Sequence, residues 1–269
     1  GALDAAAELT DLAERLGAPV AKALLGKGAL ADDSPYTTGG VGLLGTRPSQ
    51  EALESCDTLI IVGSTFPYIE YYPKPGQARA VQIDIDPTRI GIRYPIEAGL
   101  VGDSASVIRA LLPRLEQKED RSFLTQAQES MGEWRELMKE RATRLDKPMK
   151  PQVVTYELDK MLEDDAIITT DSGTITTWAA RHITLRGSMR FSCSGGLASM
   201  GCGLPYAIAA ALAYPERPII GDGGFTMLLG ELATCVKYDL DIKIIVSKND
   251  SLGQIKWEQM VFLGNPEYV

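Results

Sequence analysis

The chain has 269 residues, of which 45% are hydrophobic and 23% charged, and it carries a net charge of −9. This is the composition of a soluble globular protein of one or two domains. The acidic balance argues against a nucleic-acid partner, and no apolar run approaches the ~20 residues of a spanning helix. Four widely spaced cysteines (Cys56, Cys193, Cys202, Cys235) form no C-x-x-C pair and read as buried reduced thiols. His182 is the single histidine, which excludes a His-based zinc site. No signal peptide opens the sequence, and a cytoplasmic location is expected. Membrane association is not legible from this sequence.

In chain order, Ala2 to Leu16 reads as an amphipathic helix ending at Gly17. Pro19 to Ala23 is a short strand, Gly39 to Gly45 a glycine-rich loop, and Ser49 to Cys56 a short helix. Leu59-Ile60-Ile61-Val62 is a buried strand ending at Gly63-Ser64, and Ala80 to Ile85 another, ending at Asp86-Pro87. Leu100-Val101 leads to Gly102-Asp103, and Ser104 is expected to cap a helix to Leu115. Gln117 to Lys150 departs from this alternation. It is charged and helical from Phe123 to Arg144, and it reads as a linker with one helix lying on a domain surface.

Pro151 opens a second alternating series. Helix Gln152 to Leu162, strand Ala166 to Thr170, helix Thr174 to His182, strand Met189 to Ser192 and helix Gly201 to Ala213 lead to Ile219-Ile220. The expected fold class is α/β: two doubly wound parallel-sheet (Rossmann-like) domains, 1–116 and 151–269, joined by a helical linker over 117–150.

The most informative motif is Gly221-Asp222-Gly223-Gly224-Phe225, then a helix-like stretch from Phe225 to Tyr238, then the strand Ile242 to Val246 ending at Lys248-Asn249-Asp250. Asp-Gly alone is a common turn. Across a βαβ unit, however, Asp222 and Asn249 become two oxygen ligands at the carboxyl ends of neighbouring strands, where open α/β sheets hold ligands. A carboxylate and an amide carbonyl suit Mg²⁺, which shares its shell with phosphates. Gly223 and Gly224 let backbone N–H groups approach a diphosphate at the start of the helix.

This constellation resembles the thiamine-diphosphate motif. Asp171-Ser172-Gly173 with Trp178-Ala179-Ala180-Arg181, the run Ser194 to Gly201, and Asn249 to Glu258 sharpen the match. Together they look like the pyruvate oxidase and quinone-dependent pyruvate dehydrogenase branch of the thiamine-diphosphate enzymes, over nearly the whole chain. The resemblance implies oxidative decarboxylation of pyruvate or a related 2-oxo acid, with electrons passing through FAD, in a homo-oligomer. It makes Asp222, Asn249 and the Ser251 carbonyl the Mg²⁺ ligands, Gly223 and Gly224 phosphate donors, and Met200 the apolar wedge between the cofactor rings. Gly173, Thr174, Ala198, Ser199, Leu252, Gly253, Gln254 and Ile255 complete the implied thiamine-diphosphate site. Val41, Gly42, Leu43, Leu44, Ser64, Thr65, Phe66, Pro67, Tyr68 and Asp84 match segments lining the FAD site of pyruvate oxidases, although no G-x-G-x-x-G accompanies them.

Acetolactate synthase, a non-oxidative 2-oxo acid decarboxylase and a non-catalytic truncated chain are the alternatives. Relative to the family, both ends look cut. Gly1-Ala2-Leu3 resembles the loop after a first strand, and the glutamate that activates the cofactor would come from an N-terminal domain. The isolated fragment is therefore expected to be inactive. One departure is local. Only Ile219 and Ile220 stand between Pro218 and Gly221, about three residues fewer than in relatives, which shortens a strand by about 10 Å. The expectation is a strand of about three residues, with both isoleucines buried near Ile168 and Ile244 and Asp222 still near the sheet edge.

Overall fold

The computed structural model describes residues 1–264 except 218, 223 and 249, with backbone alone at 220–222. It divides into two units, Gly1–Glu140 and Arg141–Val269. The first contains α1 (Ala6–Leu16), β1 (Val20–Lys22), β2 (Thr37–Gly40), α2 (Arg47–Ser55), β3 (Thr58–Val62), β4 (Arg79–Asp84), β5 (Ala98–Val101), α3 (Ser104–Leu111) and α4 (Ser122–Ala142). β1 and β2 pair in parallel, and β3, β4 and β5 form a parallel sheet in that order.

Alternation along β4 decides its two faces. Ile83 packs with Leu9 and Leu12 of α1 and Ile108 of α3, whereas Ala80 joins Ile61 and Tyr94. Burying one such isoleucine contributes about 1.5–3 kcal/mol. Gln82 shares the second face and is satisfied there: its amide donates to the Arg89 carbonyl and its oxygen accepts from the Gly91 N–H. α1 stops at Gly17, whose φ of 56° is the left-handed conformation of a helix C-cap. α4 lies on this unit's surface, where Glu133 pairs with Arg47 at 2.8 Å and Gln128 donates to the Pro35 carbonyl at 3.1 Å. A buried ionic group stands after β1. Asp32 accepts from both Lys22 and Lys27 at 2.6 Å.

The second unit contains α5 (Pro151–Asp159), β6 (Ile167–Thr170), α6 (Thr174–His182), β7 (Arg190–Ser192), α7 (Gly203–Ala213), β8 (Ile219–Asp222), α8 (Leu232–Lys237), β9 (Ile242–Ile245) and α9 (Gly253–Leu263). Its sheet is parallel throughout, in the order β7-β6-β8-β9. Ile168 faces Leu162, Ala179 and Ile183, while its neighbour Ile167 faces Ala207 and Ala211 of α7 together with Ile219. Apolar clusters therefore cover both faces, which is why β6 is apolar at consecutive positions rather than alternate ones.

The connection β6–α6–β7 runs to one side of β6, and the next crossover returns past it to β8. The strand order thus reverses between β6 and β8. A crevice outside the carboxyl ends of strands at such a switch point is where doubly wound sheets hold ligands.

Several expectations need correction. The loop expected at Gly39 to Gly45 begins as a strand: Thr37 to Gly40 pair with β1 despite the two glycines, and the Thr38 and Ser49 hydroxyls are buried there because they are hydrogen-bonded. Asp103, not Ser104, caps α3, its carboxylate accepting from the Ser106 N–H at 2.9 Å. The helix expected from Phe225 to Tyr238 is a 3-10 segment, Phe225–Glu231, followed by α8. Leu228, at φ −126° and ψ 35°, breaks the run. The short strand before Gly221 has four residues rather than three, because Gly221 and Asp222 are drawn into the ladder. Ile219 pairs with Ile167 and Ile242, and Ile220 with Ile168 and Lys243. Ile219 is buried as expected, the side chain of Ile220 lies outside the described residues, and it is Gly221 that lies opposite Ile244.

Candidate functional site

At the switch point, β6 ends at Thr170 and β8 at Asp222, and these two residues are partners in the ladder. Asp222 also pairs with Ile245, the last residue of β9. Three strands therefore end flush, with Asp222 in the middle of the edge. Thr170 is buried, and its hydroxyl has no hydrogen-bond partner among the described residues.

The next residue, Asp171, organises the edge. It is 1% exposed. Both carboxylate oxygens accept from the Gly201 N–H at 2.8 Å, Oδ1 accepts from the Ser172 N–H at 2.7 Å, and Oδ2 accepts from the Gly203 N–H at 3.4 Å. The Thr176 hydroxyl donates to the Asp171 carbonyl, and Thr169 donates to the Gly203 carbonyl at 2.8 Å. The turn before α7 is thereby tied to the end of β6 by a charge and several amides.

Gly224 closes this group. A Cβ there would lie 3.0 Å from the Gly201 nitrogen and 3.1 Å from Asp171 Oδ2. A Cβ on Gly201, whose φ is 89°, would press on the Leu228 and Met227 side chains. The structure therefore brings Met200–Gly201, Asp171 and the segment Gly224–Leu228 together. Ala198, Ser199 and Met200 are exposed in the preceding loop, where Ser199 N–H donates to Ser194 Oγ at 2.9 Å. Ala198 takes a φ of 49°, in the left-handed region that disfavours a Cβ. Gly173, at φ 123°, precedes Thr174 at the start of α6, and a Cβ on it would meet open space.

Beyond β9, Ser251 is half-buried, Leu252 precedes α9, and Gly253, Gln254 and Ile255 form its first turn. Ile255, Trp257, Met260, Val261, Phe262 and Leu263 are all exposed on α9. Gly223 and Asn249 lie outside the described residues. Among the described residues no three His, Cys, Asp or Glu side chains cluster as a metal site. The side chain of Asp222 lies outside the described residues too; the carboxylate, amide and backbone carbonyl that the sequence offers at this edge are hard oxygen donors of the kind Mg²⁺ takes. The buried Thr170 hydroxyl, without a partner among the described residues, offers a polar atom to a ligand at this edge. The dipole contribution expected from a long helix is reduced, because a 3-10 segment follows Gly224.

The first unit has its own group of loops at strand ends. A Cβ on Gly42, whose φ is 85°, would sit 2.7 Å from Phe66 Cζ, so the loops Val41–Leu44 and Ser64–Tyr68 touch. Ser64 Oγ accepts from the Phe66 N–H at 3.3 Å, and the rings of Phe66 and Tyr68 meet edge-on at 5.5 Å. Thr65 is half-buried, and Leu43 and Pro67 are exposed. Asp84, at the end of β4, is buried, and its Oδ1 accepts from the Asp86 N–H at 3.0 Å.

Neither the histidine nor the thiols are poised for chemistry near neutrality. Burial, followed by the charge of Arg181, holds His182 down to about 4. Burial pushes Cys193 up to about 11 and raises Cys56, Cys202 and Cys235. All four cysteines are free. No described helix is long and apolar enough to cross a membrane. Sequence reasoning quoted Asp171 within a motif but gave it no role. The available signal was an aspartate directly after a buried strand and two residues before a glycine.

Comparison with known proteins gives two family matches, separated by residues 112–170. The thiamine pyrophosphate enzyme central domain matches residues 1–111, and the thiamine pyrophosphate enzyme C-terminal TPP binding domain matches residues 171–269. YdaP of Bacillus subtilis, described as a thiamine pyrophosphate-containing protein, is 44% identical over 265 residues, covering 97% of this chain and 46% of that protein. The pyruvate oxidase of Lactiplantibacillus plantarum is 33% identical over 263 residues, covering 96% and 44%. The acetolactate synthase large subunit of Pyropia yezoensis is 32% identical over 260 residues, covering 91% and 43%. The chain spans less than half the length of each of these relatives.

Proposed function

We propose, from the premise that this chain belongs to the thiamine pyrophosphate enzyme family, that it forms part of a thiamine-diphosphate-dependent enzyme acting on a 2-oxo acid. Its second unit would hold the cofactor's diphosphate through Mg²⁺. The observation that carries this reading is the flush edge at the β6/β8 switch point, where Asp222 is in register with Thr170, whose buried hydroxyl has no hydrogen-bond partner among the described residues.

Asp222, Asn249 and the Ser251 carbonyl would hold the metal, and Gly223 and Gly224 would donate to phosphate. Bound there, thiamine diphosphate would supply the nucleophile and the electron sink that decarboxylation of a 2-oxo acid needs. This chain's own residues do the holding and shaping. Met200 offers an apolar side chain from the loop that Asp171 restrains. Gly173, Thr174, Ala198, Ser199 and the turn Leu252–Ile255 line the remaining approach. The acidic edge requires the cation, because a diphosphate beside carboxylates is otherwise repelled.

The finer reading is oxidative decarboxylation of pyruvate or a close relative, with electrons passing to FAD held by the loops Val41–Leu44 and Ser64–Tyr68 and by Asp84. Its support is the contact between those two loops at the carboxyl ends of parallel strands, together with the similarity to a pyruvate oxidase. The similarity to an acetolactate synthase supports a second reading, in which two 2-oxo acids are joined on the same scaffold. A cytoplasmic homo-oligomer belongs to either reading.

Calorimetric titration of thiamine diphosphate with and without Mg²⁺ tests the first step, and the flavin absorbance of the purified protein tests the second. Metal-dependent binding that is lost in Asp222→Ala is expected, with a smaller loss in Asn249→Ala because a neutral ligand contributes less Coulomb attraction. Equal binding with and without Mg²⁺ refutes the site.

A further inference from the structure

From the geometry we infer that Asp171 is the positioning residue of this site, setting the pose of Met200 by clamping the amide of the residue that follows it. This deepens the reading above and rests on it. Asp171 is an ionisable side chain at 1% exposure whose polar partners are mainly backbone N–H groups: those of Ser172, Gly201 and Gly203. A carboxylate in that setting makes charge-assisted bonds, which are shorter and stronger than neutral ones. The bond to Gly201 is two-pronged, with both oxygens at 2.8 Å, so it constrains the direction as well as the distance of that peptide.

Two further observations show that the clamp is built rather than incidental. The backbone of Asp171 is itself held by the Thr176 hydroxyl, from the first turn of α6. The clamp is also closed from the far side by Gly224, whose missing side chain leaves 3.0 Å and 3.1 Å between a would-be Cβ and the two clamped groups. One carboxylate therefore sets the spacing between the end of β6, the Met200 loop and the segment after β8. Met200 is 42% exposed and gains no comparable anchoring from burial of its own side chain. The peptide at Gly201 carries that task. Asparagine at position 171 keeps the shape but turns one acceptor into a donor pointed at amides, so the two-pronged bond cannot form.

The test uses Asp171→Asn in the intact chain, with two separate readouts. Hydrogen exchange without any cofactor should show the Ser194–Gly203 segment exchanging at least 10-fold faster, with β6 and the α7 peptides beyond its first turn unchanged. Calorimetric titration with thiamine diphosphate and Mg²⁺ should show affinity falling at least 10-fold, and Asp171→Glu, which keeps the charge, should recover part of it. Unchanged exchange in the segment overturns the clamp. Faster exchange with unchanged affinity overturns the positioning role and leaves a structural one. A wild-type protein that binds no thiamine diphosphate overturns the functional reading and with it the role toward the cofactor, while the exchange result still decides the clamp. Should Asp171→Asn fail to fold, Thr176→Val loosens the same residue from its backbone side and takes the same readouts. At least threefold effects on both are expected from it, and no effect on either overturns the proposal.

Discussion

His182 gives this protein an acid-sensitive stability that one substitution should erase. The imidazole ends α6, is 7% exposed, and stands beside Trp178 with ring centroids 6.5 Å apart. Burial first, and the Arg181 charge second, hold its pKa down to about 4 from 6.5. The sign follows from linkage. Between those two values the unfolded chain binds a proton that the folded chain refuses, so stability is complete above pH 6.5 and is lost as the pH falls. At 1.36 kcal/mol per unit the full effect approaches about 3 kcal/mol, and about 2 kcal/mol of it appears between pH 7 and pH 5. That interval lies above the range of the depressed carboxylates, among them Asp32. With a single histidine in the chain, His182→Gln isolates the contribution. Urea unfolding followed by tryptophan fluorescence at pH 7, 6 and 5 should give a falling stability for the wild type and a flat one for the variant. Two parallel curves would show that His182 is not held neutral by the fold, and the argument from burial would fail.

Three further outcomes are expected. Asp32→Asn removes the carboxylate paired with the buried ammonium groups of Lys22 and Lys27, and should cost about 3–5 kcal/mol in urea unfolding; a loss below 1 kcal/mol, on the scale of ~1 kcal/mol for exposed pairs, would mean the group is solvated. Ala198→Gly removes a Cβ from a left-handed backbone, which costs about 1–2 kcal/mol, and regains net stability of about 0.5–1 kcal/mol after the added flexibility of glycine; a lower midpoint of unfolding would contradict the strain. Inserting three apolar residues after Ile220 carries Asp222 about 10 Å past its rung opposite Thr170, at ~3.3 Å per residue, and should weaken thiamine-diphosphate binding at least 10-fold; unchanged binding would show that the end of β8 does not set the position of Asp222 in the site.

The strands rich in branched residues, such as Leu59 to Val62 and Ile242 to Ile245, are legible because burial on both faces leaves a continuous apolar run. Thr37-Thr38-Gly39-Gly40 is not, since its place in a sheet depends on hydroxyl partners at Thr46 and Ser49 that no local pattern encodes. Phe225 to Tyr238 has a helical composition, yet tertiary packing of Leu228 against Gly201 accompanies a break in mid-run. At the site, the Gly-Asp-Gly-Gly sequence announces itself because turn chemistry is local. Asp171 does not, because its meaning lies in amides thirty residues away. The shortened strand was visible as missing length, but its remedy was not: only the ladder shows that Gly221 and Asp222 fill the rungs themselves.

The exposed apolar residues of α9 have a colloidal consequence. Trp257, Met260, Val261, Phe262 and Leu263 present a sticky surface to water, and the counterweight is the chain's charge of −9. Repulsion between molecules fades as salt screens it within about 10 Å at 0.1 M, and it vanishes near the isoelectric point of about 4.8. Light scattering should therefore report self-association that grows with ionic strength and on acidification toward that point. Phe262→Lys and Leu263→Glu should suppress it without touching the sheet edge. Purification at low salt and neutral pH is the condition under which this protein's binding properties can be measured on dispersed molecules.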